Sequence, residues 1–117
     1  MNFNSDDLLE LEGFLKLNHI SKEDICLVGS TTLSLIGIRE HDDIDFVLHS
    51  KYQSLKLTSH PIIERTNNPW STLFSDDKLI KDSNLHIIYN GFKFVIPELV
   101  FHKKIWHNRL KDRSDVV

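Results

Sequence analysis

The sequence predicts an α/β fold, a small mixed β-sheet with covering helices, formed as one domain over residues 1–117. Three observations predict it. Apolar runs of strand length alternate with stretches of helical spacing, in the order helix, strand, helix, strand, strand, hairpin, helix. Asn90-Gly91 stands between two runs rich in β-branched and aromatic residues, which is the favoured two-residue hairpin turn. Gly29-Ser30 breaks the chain between an apolar strand and a helical stretch. Composition sets the outer bounds. At 40% hydrophobic and 26% charged the chain has ordinary globular values and, with 117 residues, enough material for one core. The net charge of −3 argues against a dedicated nucleic-acid binder, whose footprint is basic. Cys26 is the single cysteine, which excludes an intrachain disulfide and a cysteine zinc cluster. No apolar run approaches the roughly 20 residues of a membrane-spanning helix. The acidic start, Met1 to Asp7, lacks the basic region of a signal peptide, so the expected compartment is cytoplasmic, with no membrane partner.

Taken in order, Asn4 or Ser5 can cap a first helix whose early turns carry Asp6, Asp7 and Glu10. Leu8, Leu11 and Leu15 recur at helical spacing, and the helix should end near Asn18. Ile25-Cys26-Leu27-Val28 reads as the first strand, with Cys26 a small buried hydrophobe. Thr31 to Ile38 reads as a helix closed by Gly37. Asp43 to His49 reads as the second strand and Pro61 to Glu64 as a short third one. Asn67-Asn68-Pro69 signals a turn. Trp70 and Phe74 suit a core patch better than an aromatic shelf for a base, and Ser75 to Lys78 reads as loop or a short turn. Leu85–Tyr89 and Phe92–Ile96 form the hairpin. Pro97 opens a last helix over about 97–110.

Strand alternation places Asp43, Asp45 and Val47 on one face and Ile44, Phe46 and Leu48 on the other. Two carboxylates on one face of an otherwise apolar strand repel each other and lose hydration. A divalent cation removes that conflict, because hard oxygen ligands suit Mg²⁺ or Mn²⁺. Gly29-Ser30 at a helix start offers backbone N–H groups to phosphate. Metal and phosphate cradle together are the minimum for chemistry on a nucleoside triphosphate such as ATP.

Gly29-Ser30 followed by Asp43-Ile44-Asp45-Phe46 resembles the signature of the nucleotidyltransferase superfamily, the DNA polymerase beta-like enzymes. The wording Leu35-Ile-Gly-Ile-Arg39 and Asp42-Asp43-Ile-Asp45-Phe46 is most similar to its small bacterial branch. That branch includes minimal nucleotidyltransferases and lincosamide- and aminoglycoside-modifying enzymes. The segment Arg109-Leu-Lys111-Asp112-Arg-Ser-Asp115 resembles an Arg-x-Lys-Asp-x-x-Asp run of the same branch. The resemblance implies catalytic, metal-binding Asp43 and Asp45. It implies that Gly29 and Ser30 hold phosphate, with Arg39 and Lys111 as counter-charges. It also implies a metal-dependent transfer of a nucleoside monophosphate from the triphosphate to an acceptor hydroxyl on a small molecule or macromolecule. A third carboxylate is expected on a strand beside the Asp-x-Asp strand. The best candidate strand, Leu85–Tyr89, carries no acid but His86, which is therefore expected as a metal ligand, with Glu64 and Asp82 as alternatives. A missing third carboxylate leaves a second reading: a catalytically impaired, nucleotide-binding member that acts through protein association, as an antitoxin-like partner or a subunit. The chain is too short for the helical part that completes the acceptor site in related enzymes, so either it forms a homodimer or its acceptor site is open.

Overall fold

The structure is a computed structural model that describes residues 5–29, 31–32 and 43–101. Helix α1 (Ser5–Leu17) and strand β1 (Ile25–Val28) come first, then β2 (Ile44–Leu48) and β3 (Ile63–Arg65). Helix α2 (Asp76–Lys81) precedes the hairpin of β4 (His86–Tyr89) and β5 (Phe92–Val95). Residues 31–32 and 97–101 are also helical. The described strands form one mixed sheet in the order β3-β2-β1-β5-β4. Two pairings are antiparallel, β1 with β2 and β4 with β5, and two are parallel, β1 with β5 and β2 with β3. The expected α/β class, a small mixed sheet with covering helices, is what the chain adopts.

Local signals account for the elements. α1 begins with Asp6 and Asp7 in its first turn, where negative charge suits the helix dipole. It ends where His19 turns left-handed at φ 59°. Ile20 N–H then bonds Leu15 O at 2.9 Å and His19 N–H bonds Lys16 O at 3.2 Å, the paired bonds of a Schellman C-cap. The hairpin turn has Asn90 at φ 51° and Gly91 at φ 81°, the two left-handed residues that its tight geometry needs. Two expectations are corrected. Residues 76–81 are helical, in place of the loop or short turn expected for Ser75 to Lys78, because Ser75 Oγ accepts the Lys78 N–H at 3.1 Å and Asp76 and Asp77 occupy the first turn. Strand β4 does not lie beside β2. It is separated from it by β1 and β5, because β5 pairs in parallel with β1 and places the hairpin at the opposite edge.

The inner strands β1, β2 and β5 are covered on both faces. Leu11, Phe14 and Leu15 of α1 cover one face, packing on Ile25, Leu27, Ile44, Phe46, Leu48, Phe92 and Phe94. Leu79 and Ile80 of α2, with Trp70 and Val100, cover the other, against Cys26, Val28, Val47 and Val95. The alternation expected for β2 is thus realised, with Ile44, Phe46 and Leu48 on the α1 face and Val47 on the α2 face. Burial pushes the Cys26 thiol up to about 12, although the Lys93 charge acts the other way.

Two outcomes follow. Cys26 should resist iodoacetamide at pH 8 in the folded protein and react fully in urea, because the thiolate is the nucleophile; mass spectrometry reads both. Replacing His19 by Gly should raise stability by about 0.5–1 kcal/mol, since a left-handed C-cap strains any residue with a Cβ. Urea unfolding monitored by circular dichroism measures it.

Candidate functional site

Asp45 sits mid-way along the sheet's β3 side. Its register partners are Val28 on β1 and Glu64 on β3, so two carboxylates stand side by side across a parallel pair on the α2 face. Asp43, exposed, lies just before β2 on the same alternation. Asp45 is half-buried. Its Oδ1 is fully buried and accepts no hydrogen bond from the described residues. Burial raises its pKa from the ordinary carboxylate value, and the charges of Glu64 and then Asp43 raise it further.

The β1 end that faces Asp45 is Gly29, in the left-handed region at φ 70°. A Cβ added there would stand 3.7 Å from Asp45 Oδ2, so space would admit a methyl group and the backbone conformation is what calls for glycine. Beyond the turn, Thr32 N–H reaches back to Gly29 O at 3.3 Å. Two buried threonines fasten this corner. Thr31 Oγ1 donates to Asp43 O at 3.4 Å and Thr32 Oγ1 donates to Val95 O at 2.9 Å.

A cavity of about 140 Å³ opens over Asp45, lined by Val28, Gly29, Asp45, Thr66, Pro69, Trp70 and Val100. Trp70 is held in place at both ends. Its backbone N–H donates to Asn68 Oδ1 at 2.8 Å, and its indole Nε1–H donates to Leu99 O at 3.1 Å. Trp70 is a core residue, as the sequence suggests, and one side of it also walls the cavity. Thr66, Pro69 and Val100 have no chemical signature in the sequence. The Asn67-Asn68-Pro69 turn signal was the available hint that the chain folds back here.

Of the residues expected at the site, the structure brings together Gly29, Asp43 and Asp45. Ser30, Arg39, Asp42 and Lys111 lie outside the described residues, as do most of the helix over 31–38 and the last helix beyond 101. His86 is not brought there. It shares a face with Val95, its partner on β5, and three inter-strand steps, roughly 14 Å, separate β4 from β2. Its Nδ1 hydrogen-bonds Leu79 O at 2.8 Å, so the ring fastens the hairpin to α2. The expectation of His86 as a metal ligand is corrected accordingly. Asp82 caps the end of α2, accepting from Asn84 N–H at 2.9 Å, and is likewise remote in the fold. Glu64 is the alternative that the topology puts beside Asp45. Among the described residues, no three His, Cys, Asp or Glu side chains converge closely enough to hold a metal ion. No described helix is long and apolar enough to cross a membrane. Comparison with protein-family models, with curated proteins and with solved structures gives no match.

Asp45 is raised above its unfolded value, so it favours the folded state most at low pH. That contribution is lost as pH rises from the ordinary carboxylate range through the raised folded value. Asp45→Asn should therefore raise the melting temperature at pH 7 in chelator. The gain over the unaltered chain should shrink toward zero below the ordinary carboxylate range. Melting curves across pH check both parts.

Proposed function

We propose that this chain is a nucleotidyltransferase-like domain that binds a nucleoside triphosphate together with a divalent cation and transfers the nucleoside monophosphate to an acceptor hydroxyl. The observation that carries the reading is the buried Oδ1 of Asp45, which has no hydrogen-bond partner among the described residues, standing beside Glu64 and over the Gly29 turn. A carboxylate oxygen withdrawn from water without a donor calls for a cation. The carboxylates whose charges act on Asp45, Glu64 and Asp43, would add only oxygen donors, which suits Mg²⁺ or Mn²⁺. When bound, the cation supplies charge neutralisation on phosphate oxygens and on the attacking hydroxyl.

The chain's own part is positioning. Asp45 is held by β1 on one side and β3 on the other, so little reorganisation of its backbone is needed when it takes a ligand. The left-handed Gly29 turns the chain from β1 toward the helix, and the Gly29 and Ser30 backbone with the Ser30 hydroxyl is assigned to phosphate, with Arg39 and Lys111 as counter-charges. Thr31 and Thr32 fix that turn to the β2 start and to β5, so the cradle and the carboxylates keep one spacing. The apolar wall of Val28, Trp70 and Val100 keeps one side of the cavity dry. We place the protein in the cytoplasm, where such triphosphates occur.

A second reading rests on one specific finding: among the described residues no three ligands converge. On that reading the site takes up nucleotide without transferring it, and the chain works through association with a partner protein. Both readings require nucleotide binding, and turnover separates them.

Melting temperatures should rise with a nucleoside triphosphate only when Mg²⁺ or Mn²⁺ is present. A ligand at 100 times its dissociation constant stabilises by about 2.7 kcal/mol. An unchanged melting temperature with every triphosphate and both metals would refute both readings. Glu64→Gln should weaken the cation-dependent shift while leaving the metal-free fold intact; an undiminished shift would remove Glu64 from the site. Pyrophosphate release over time, measured with the triphosphate that binds, decides for the enzyme.

A further inference from the structure

The two edges of the described sheet are finished differently. At the β3 edge the strand has only three residues, two of them the charged, exposed Glu64 and Arg65, and Pro61 precedes it. Ladder bonds from Ile44 N–H to Ile62 O and from Thr66 N–H to Phe46 O show that residues 62 and 66 face β2. Ile63, of the opposite parity, therefore turns its N–H outward. That outward donor is already taken, because His60 Nδ1 accepts from both Ile62 N–H and Ile63 N–H at 3.1 Å. Short length, charge and a filled donor are the devices that keep an edge from pairing with another chain.

The β4 edge, one residue longer, carries no charged side chain, and among the described residues no side chain accepts from its outward N–H groups. His86-Ile87-Ile88-Tyr89 holds no Lys, Arg, Asp, Glu or Pro, and Ile87, Ile88 and Tyr89 are 37%, 65% and 43% exposed. Its register with β5 identifies the outward groups. Ile96 N–H bonds Leu85 O, so the hydrogen-bonded pairs are 85 with 96, 87 with 94 and 89 with 92. His86 and Ile88 consequently direct their N–H and C=O groups away from β5, two donors and two acceptors at alternate positions on the sheet's end strand.

We propose that this edge pairs with β4 of a second copy of the chain, antiparallel across a two-fold axis at Ile87, to give one continuous sheet. The pattern is its own complement. With Ile87 opposite Ile87 of the second copy, each His86 faces an Ile88, and all four outward groups of each strand find partners. The two imidazoles are not set opposite each other, and no formal charge is buried. A foreign peptide adding to an edge gains its specificity from flanking pockets or charges; this strand carries no charged side chain to select one, whereas a second copy needs only the register. A four-residue pairing lies at the small end of specific interfaces, so the dimer exchanges with monomer as concentration changes. This inference is independent of the nucleotide reading, since β4 and Asp45 lie on different parts of the sheet.

Sedimentation of the full chain up to millimolar concentration tests it, together with hydrogen exchange and two variants. Ile88→Lys adds charge to the edge, and Ile88→Pro removes an outward donor without touching the β5 ladder; circular dichroism identifies which of them stays folded. The expected result is a monomer–dimer equilibrium that is lost in the folded variant, with His86 and Ile88 amides gaining protection as concentration rises. A monomer at all concentrations overturns the proposal. So does a dimer that survives the substitution, or protection of those two amides in dilute monomer, which would mean that another part of the same chain covers the edge.

Discussion

A carboxylate held between two strands is the constraint around which this corner of the molecule is arranged. Asp45 cannot leave the sheet without breaking the register that pairs it with Val28 and Glu64, and it cannot be fully hydrated while it stays. Its buried oxygen has no donor among the described residues. A backbone N–H or a hydroxyl would remove that cost cheaply, and Thr31 and Thr32 follow closely on Gly29, which faces Asp45. Both instead spend their hydroxyl protons on main-chain carbonyls, Asp43 O and Val95 O. Both hydroxyls are thus committed to fixing the backbone. An arrangement selected for stability alone would place an apolar side chain here, as at Val47 two positions on.

Much of the fold was legible because each signal was local. Helix α1, strand β1, the alternation of β2 and the Asn90-Gly91 hairpin depend on spacing and turn chemistry within a few residues, and the observed elements follow them closely. Helix α2 was missed although its capping serine and acidic first turn are in the sequence, because its six residues give too short an apolar pattern to stand out beside the polar Ser75-Asp76-Asp77-Lys78 run. Strand order was not legible at all. Which strand lies beside β2 depends on how β5 docks on β1, a contact between residues far apart in the chain. That single long-range fact moved the neighbour of Asp45 from His86 to Glu64. Asp45 on β2 and Asp43 just before it could be read from alternation. The neighbour of Asp45 could not, and neither could Thr66, Pro69 and Val100, whose side chains announce nothing until the chain folds over the site.

Histidines illustrate how residue type underdetermines role. His86 anchors the hairpin to α2 through Leu79 O, His60 fills the backbone donors of Ile62 and Ile63, and His49 accepts the Lys51 N–H at the start of a short 3-10 turn. Each uses a ring nitrogen on the main chain, and each would look equally like a ligand in the sequence.

The bond from Thr32 to Val95 has a consequence for how the protein is made. Strand β1 lies in the interior of the sheet, yet one of its flanks is completed by β5, with Leu27 against Phe94, and the turn after β1 is tied to the same strand. During synthesis the N-terminal part emerges first, and β1 must wait with an open flank until the hairpin clears the ribosome. Loop closure over so long a span slows the step that joins them. The turn after β1 is therefore among the last parts to become rigid, and a nascent chain that ends before Val100 has no finished cavity over Asp45.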